Sequence, residues 1–318
     1  MVELVSAGQR SWRDMFALSL SERILLGIAI GTELLAFLFA KLLDLTVDWA
    51  PFLGGYLAAM GFVAIGAYIR HVKEKPRLAL GLQGIGFFMA FTSACSVLIY
   101  TLLPLPHPMV DSFLTETGHW VGYDWRSFVA GMTEYPAISR ALGYVYQSAI
   151  PQIVLTICLL SFYGRSLELH RFIFVGMVTL AIAVAIWWRW PSVGYIGVLP
   201  YSPEVMAEMG FRFKVNYGEF LTQLLQEGPE RITPAVITGV VGFPSYHTVM
   251  ALMVTWYCRR TVLFLPILML NLAMIPATLL HGGHHVIDVL GGLIVFVVGV
   301  PMTNLVIRPE PSVQPSQL

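Results

Sequence analysis

Polar and apolar positions along this chain do not alternate; the apolar ones gather in long runs broken by short charged or aromatic stretches. A helix needs about 20 apolar residues to cross a bilayer. Runs of that order predict spans at 24–43, 52–70, 80–103, 143–163, 172–189, 246–258, 262–280 and 284–305, eight in all, the sixth being short. Residues 1–22, containing "SWRDMFALSLSER", predict a short helix lying on the surface. Two longer connections, 104–142 and 190–245, interrupt the rhythm with aromatic and polar residues. In the second, "SPEVMAEM" puts Ser202 at an N-cap, Pro203 at the first helical position and Glu204 behind it. Further on, "GEFLTQLLQEG" predicts an amphipathic helix stopped by Gly228. The expected fold class is all-α: a polytopic membrane helix bundle of about eight transmembrane helices, one membrane domain over residues 1–318.

Composition agrees. The chain is 57% hydrophobic and 12% charged, with mean hydropathy +0.72, against about 25% charged residues in soluble domains. Segments 78–110, 141–164 and 261–287 contain no Asp, Glu, Lys or Arg. With a net charge of zero there is no basic field to attract nucleic acid. Cys95, Cys158 and Cys258 all fall in or beside apolar runs and read as small hydrophobes. The first run carries Glu33 and lacks a small-residue cleavage site, so it is expected to be an uncleaved span. Glu33 itself is an intramembrane acid with no evident partner.

Loop charge sets an expected orientation. With the N-terminus inside, the short inner segments hold Arg10, Arg13, Arg23, the basic residues of "RHVKEKPR", Arg165, Arg171, Arg259, Arg260 and Arg308. The longer outer segments hold only Lys41, Arg126, Arg140, Arg189, Arg212, Lys214 and Arg231. Short, charge-dense loops belong on the cytoplasmic side, so 44–51, 104–142, 190–245 and 281–283 face outward. That puts "GFPSYHT", with His247, and "HGGHHVIDVLGG", with His284, at the outer ends of two spans.

In the second motif His281, His284, His285 and Asp288 fall at i, i+3, i+4 and i+7, which is one face of a helix. Three readings compete. "HGGHH" matches the H-x-x-H-H box of membrane di-iron enzymes, but His71, His107, His119 and His170 stand alone and supply no second box. One zinc on His281, His284 and Asp288 is the remaining metal reading. The bland reading makes the cluster the polar mouth of a span, which suffices for His281 or His285 alone. A carboxylate at the depth of Asp288 is costly without a partner, and the imidazole of His284 four residues earlier is the nearest. The catalytic reading makes His284 a nucleophile held in one tautomer by Asp288, with His285 a less favoured alternative. His247 then serves as general acid and base. Ser245 and neighbouring backbone N–H groups at a helix start offer an anion pocket. Such a set suits phosphoryl transfer.

"FPSYHT" followed by "HGGHHVIDVLGG" resembles the second and third signature motifs of the type-2 phosphatidic-acid-phosphatase superfamily. It is more narrowly similar to the inositol-phosphorylceramide synthase and sphingomyelin synthase branch and its bacterial relatives. The likeness extends weakly to "LGYVYQSAIPQ" and covers about the last 180 residues. It implies a six-helix phosphatase-like catalytic core at 140–305, with 1–100 as accessory spans. It implies His284 as nucleophile, Asp288 as its orienting acid, His247 as acid/base, a phosphohistidine intermediate, and neither metal nor cofactor. The K-x6-R-P motif is absent, and the arginine expected six residues before the nucleophile is Thr278. Both losses favour the transferase branch and leave the phosphate's counter-charge unassigned. Arg140, Arg189 and Arg231 are the outer-side candidates, each equally readable as an interfacial anchor.

The expectation is a membrane lipid phosphatase or phospho-headgroup transferase, in a bacterial inner membrane with its site facing the periplasm. Its partners would be a phospholipid or lipid phosphate, the bilayer, a lipid alcohol acceptor, and no nucleic acid. Two rivals are a transporter using the histidines as a proton relay and a non-catalytic membrane scaffold. A relay would spread ionisable residues through several spans, whereas here, apart from Glu33, they collect at one face.

Overall fold

The structure, a computed structural model, describes residues 15–195, 202–211 and 216–309. Among these, secondary structure is helical, with one isolated bridge between Val47 and Ile232. The helices are α1 (Leu20–Leu42), α2 (Trp49–Val72), α3 (Pro76–Tyr100), α4 (Asp111–Trp120), α5 (Trp125–Thr133), α6 (Pro136–Gln147) and α7 (Ala149–Phe162). They continue with α8 (Ser166–Arg189), α9 (Pro203–Glu208), α10 (Tyr217–Glu227), α11 (Tyr246–Cys258), α12 (Phe264–His281) and α13 (Val286–Val306).

The N-terminal expectation changes in part. Ser19 and Glu22 form a reciprocal capping box, with Ser19 Oγ accepting from the Glu22 amide at 3.3 Å and Glu22 Oε2 accepting from the Ser19 amide at 2.9 Å. "LSER" therefore starts the first span. The rest of the expected surface helix, residues 1–14, lies outside the described residues.

The count of eight spans is corrected too. Six helices (α1, α2, α3, α8, α12 and α13) are long and apolar enough to cross a bilayer, and α6 with α7 makes a seventh only as a pair bent by 50°. Pro151 explains that bend. It has no amide hydrogen, and its ring crowds the carbonyl four residues back, at Gln147, where α6 ends. The eighth candidate, α11, has 13 residues, about 20 Å of helix against a hydrocarbon core of about 30 Å. Irregular backbone at 238–245 precedes it, and residues 238–242 line cavities inside the protein. That is the setting in which non-helical backbone is tolerated in a membrane protein.

Around α11 pack α7, α8, α12 and α13, while α3 contacts α1 and α2 on one side and α7 and α8 on the other. One buried cluster runs from Leu25 and Val63 through Phe87 and Phe172 to Met253 and Phe296. Small residues allow the close crossings. A Cβ on Gly292 of α13 would collide with the Ser245 carbonyl at the start of α11. Facing outward are Leu34 and Leu38 of α1, Leu265, Met269 and Leu272 of α12, and Ile294 and Val297 of α13, all exposed. Such a belt suits lipid contact rather than water.

The described parts of the two long connections fold into a cap over one end of the bundle. Ser202 caps α9 as expected, accepting from the Val205 amide, and Gly228 ends α10 with φ 77°. Trp125, Tyr195, Met206, Met209 and Phe211 bury themselves against Ala277 and Leu280 of α12. Trp125 Nε1 donates to the Leu279 carbonyl at 2.9 Å, which fixes the cap to the helix that leads into the histidine motif.

Candidate active site

The "HGGHHVID" stretch is not one helical face. α12 ends at His281, Gly283 turns the chain at φ 58°, and α13 begins at Val286 with His285 as N-cap. A Gly-Gly pair at a helix end stops rather than continues the helix. The four side chains consequently separate. His281 turns back, its Nε2 2.7 Å from the Ser139 carbonyl. His284 and Asp288 stay together, with Nδ1 of the ring 3.0 Å from Oδ2 of the carboxylate. The same Oδ2 accepts the His285 amide at 2.8 Å, so Asp288 caps its own helix while holding the ring. Among the described residues, no group of three or more His, Cys, Asp or Glu is placed to hold a metal ion.

The first motif meets the second through the backbone. Ser245 caps α11, and its own amide donates to the Asp288 carbonyl at 2.9 Å. Two helix N-termini are thereby pinned side by side. His247, in the first turn of α11, and His284, just before α13, come to 6.5 Å between ring centroids. Tyr146 of α6 stacks on His247 at 4.0 Å. Both histidines line one polar cavity of about 300 Å³, with Ser192, Gly194, Tyr217 and Thr238. His284 Nδ1 is taken by Asp288, and Nε2 is the nitrogen left for chemistry.

Sequence reasoning missed the support behind this pair. Asp111, at the start of α4, accepts from Ser192 Oγ at 2.7 Å, from the Gly194 amide at 2.7 Å and from the Val193 amide at 3.2 Å. Its Oδ1 also lies 3.2 Å from His285 Nε2. Burial alone would raise the Asp111 pKa, but the hydrogen bonds from His285, Ser192 and Gly194 outweigh it and hold the carboxyl below its usual range. The turn so fastened docks on the histidine loop, where the Tyr195 amide donates to the Gly283 carbonyl at 2.6 Å. Gly194 has φ 68°, and a Cβ there would collide with that same carbonyl. A lone acid at a helix start 174 positions from its histidine partner leaves no spacing signal to read.

The candidate phosphate-binding arginines are not brought to the cavity. Arg140 donates to the Glu208 carbonyl at 2.8 Å on an exposed face, Arg189 lies over the Trp190 ring, and Arg231 borders a separate surface pocket. Among the described residues, no Lys or Arg lines the cavity of His247 and His284. Thr278, where the resemblance expects an arginine, is buried. Glu33 is half-buried along α1 and makes no ion pair among the described residues.

A family model described as the PAP2 superfamily matches residues 112–302, more than half of the chain. The chain belongs to the PAP2 superfamily. No curated protein and no solved structure matches it. Together with the six apolar helices of bilayer length, PAP2 membership points to an integral membrane protein with a lipid-phosphatase type of function and a lipid phosphate as substrate. The PAP2 match contains both histidine motifs and leaves α1–α3 outside it.

Proposed function

We propose that this PAP2 protein transfers the phosphoryl or phospho-headgroup of a lipid through a phosphohistidine on His284. The observation that carries the reading is the pair His284–Asp288 facing His247 across one cavity, with ring centroids 6.5 Å apart. His284 Nε2 attacks phosphorus and the bond from phosphorus to the lipid oxygen breaks. His247, protonated, gives its proton to that oxygen as it leaves. Neutral His247 then takes a proton from an incoming hydroxyl, whose oxygen attacks phosphorus as the P–N bond breaks. Asp288 keeps Nδ1 of His284 protonated and balances the charge that develops on the ring. The N-terminus of α11 supplies partial positive charge where, among the described residues, no cation stands; Ser245 is buried at that N-terminus as its cap rather than in the cavity wall.

A second cavity supports a lipid substrate. It holds about 340 Å³, is lined by Phe88, Phe91, Cys95, Ile153, Met177 and Met250 among others, and reaches His247. Thr238 to Val241 form the wall common to both cavities. An apolar chain seated there would present its phosphate end to the histidines. On this reading residues 140–305 are the catalytic core and α3, from the accessory region, completes the chain-binding wall.

Water as acceptor makes the protein a lipid phosphatase; a lipid alcohol makes it a headgroup transferase of the inositol-phosphorylceramide and sphingomyelin synthase kind. The missing arginine at Thr278 favours the second. The orientation we infer puts the histidines on the outer, periplasmic face, supported by Arg23, Lys73, Lys75, Arg165, Arg171, Arg259 and Arg260 gathering where the helices return to the opposite end. The experiment is to supply purified protein with head-labelled phospholipid, with and without ceramide or diacylglycerol, in EDTA. Label in a new lipid marks a transferase and label in free phosphate or phospho-headgroup a hydrolase; no conversion, or conversion abolished by EDTA, overturns the reading.

A further inference from the structure

The end of the bundle away from the histidines holds a cavity that the proposed chemistry does not use. Its volume is about 560 Å³, larger than that of the polar cavity between the histidines. It is enclosed by the start of α1, the last turn of α2, the first turns of α3 and α8, and the residues just after α13. Three helix N-termini, at Leu20, Pro76 and Ser166, therefore open toward it, and each carries a partial positive charge.

Three arginines line the same space: Arg70, Arg77 and Arg308. One carboxylate does so, Glu22, and its charge is already matched. Arg70 forks onto both of its oxygens, with Nη1 donating to Oε2 at 2.9 Å and Nη2 to Oε1. The Ser19 amide supplies a further bond to Oε2 at 2.9 Å. Arg77 and Arg308 face no carboxylate among the described residues; Arg308 spends only its Nε, on the Leu305 carbonyl. His170 adds a ring that is 7% exposed and whose Nε2 makes no hydrogen bond among the described residues. That nitrogen is 3.5 Å from Glu22 Oε1, too far for a good bond. Buried polar atoms are normally paired, and this nitrogen, in ion-pair range of Glu22 but without a hydrogen bond among the described residues, has room for a further partner in the cavity.

We propose that this cavity is a second site, for an anionic phosphate group, at the opposite membrane surface from the histidines. The Arg77 guanidinium and the two terminal nitrogens of Arg308, which form no ion pair among the described residues, provide paired N–H donors that match phosphate oxygens, and Ser19 and Ser21 line the same cavity. Glu22 keeps Arg70 in place and leaves the net charge of the lining positive. The phosphate is carried either by the headgroup of an anionic lipid in that leaflet or by a free phosphate in solution. Because the site joins α1, α2, α3, α8 and α13, its occupant would tie the accessory helices to the PAP2 core.

The test uses the full chain in a neutral detergent, as wild type, as His284→Ala, and as Arg77→Gln/Arg308→Gln; Arg308→Gln alone is the second variant if the double one does not fold. Both arginines are exposed and outside the catalytic cavity. Native mass spectrometry with phosphatidylglycerol against phosphatidylcholine reads the lipid source, and thermal stabilisation by inorganic phosphate reads the free one. Binding of either anion by wild type and His284→Ala alike, weakened at least about tenfold in the arginine variants, is the expected result. Retained phosphatidylglycerol assigns a lipid headgroup, and stabilisation by inorganic phosphate assigns a soluble ligand. Equal binding by wild type and the arginine variants, loss of binding in His284→Ala, or no binding of either anion by wild type overturns the proposal.

Discussion

The amide of Ser245 donates to the carbonyl of Asp288 at 2.9 Å, and through that bond two motifs about forty residues apart in sequence become one site. The cap of α11 and the acid of α13 are joined main chain to main chain. The rings at His247 and His284 are brought to their 6.5 Å spacing by this joint.

Asp288 has two tasks, so its removal has two effects. Asp288→Asn keeps the shape but lets the amide present the wrong group to His284 Nδ1. The loss should fall on kcat, by about a hundredfold to ten-thousandfold, with KM changed little. Asp288→Ala should in addition lower stability by about 1 kcal/mol through the lost cap on the His285 amide. Steady-state kinetics with thermal melts separate the two.

Asp111 makes a pH prediction whose sign follows from its depressed pKa. A carboxyl with a folded pKa below its unfolded value stabilises fully above about pH 4 and loses that contribution as pH falls through the folded value. Asp111→Asn should therefore melt lower than wild type at pH 7, by about 1–3 kcal/mol for the lost charge-assisted bonds. The gap should close as pH falls through the depressed folded pKa. A gap that is constant with pH would mean that the carboxylate does not fasten the Ser192–Gly194 turn.

Gly194→Ala should cost more than an ordinary loop substitution. The position has φ 68°, and the new methyl would push the Gly283 carbonyl and with it the loop that carries His284. Activity should fall at least about tenfold while the far end of the bundle stays intact. Turnover together with hydrogen exchange at α2 and α3 would check this.

Ser96 of α3 lines the apolar cavity below His247. Ser96→Phe should raise KM for long-chain substrates about tenfold or more, yet leave turnover of a short-chain lipid phosphate near wild type. Equal effects on both would show that the chain does not lie there.

Much of this was legible before any coordinates. Apolar runs of bilayer length locate six helices, five of them to within about four residues at each end and one starting six residues earlier than expected, at Ser166, since a lone apolar segment in lipid satisfies its backbone as a helix. The caps at Ser202 and Gly228 were readable because capping is local chemistry. Where the reading failed, a local device had overridden periodicity. Gly282 and Gly283 divide a stretch with helical spacing, and Pro151 bends a span that hydropathy draws straight. The meeting of Asp111, His285 and the turn at Ser192 was invisible because it depends on how two long connections fold over the bundle. The arginines chosen from loop charge alone went to a carbonyl (Arg140), a ring (Arg189) and a separate surface pocket (Arg231), since charge counting assigns a face and not a cavity.

The most direct test of the two-imidazole account is rapid quench of wild-type protein with a lipid labelled at phosphorus, followed by mapping of the labelled peptide. The account predicts an acid-labile, alkali-stable adduct on His284 that forms and decays at rates consistent with turnover and is absent from His284→Ala, which is inactive. Label on another residue, or undiminished turnover in His284→Ala, would contradict it.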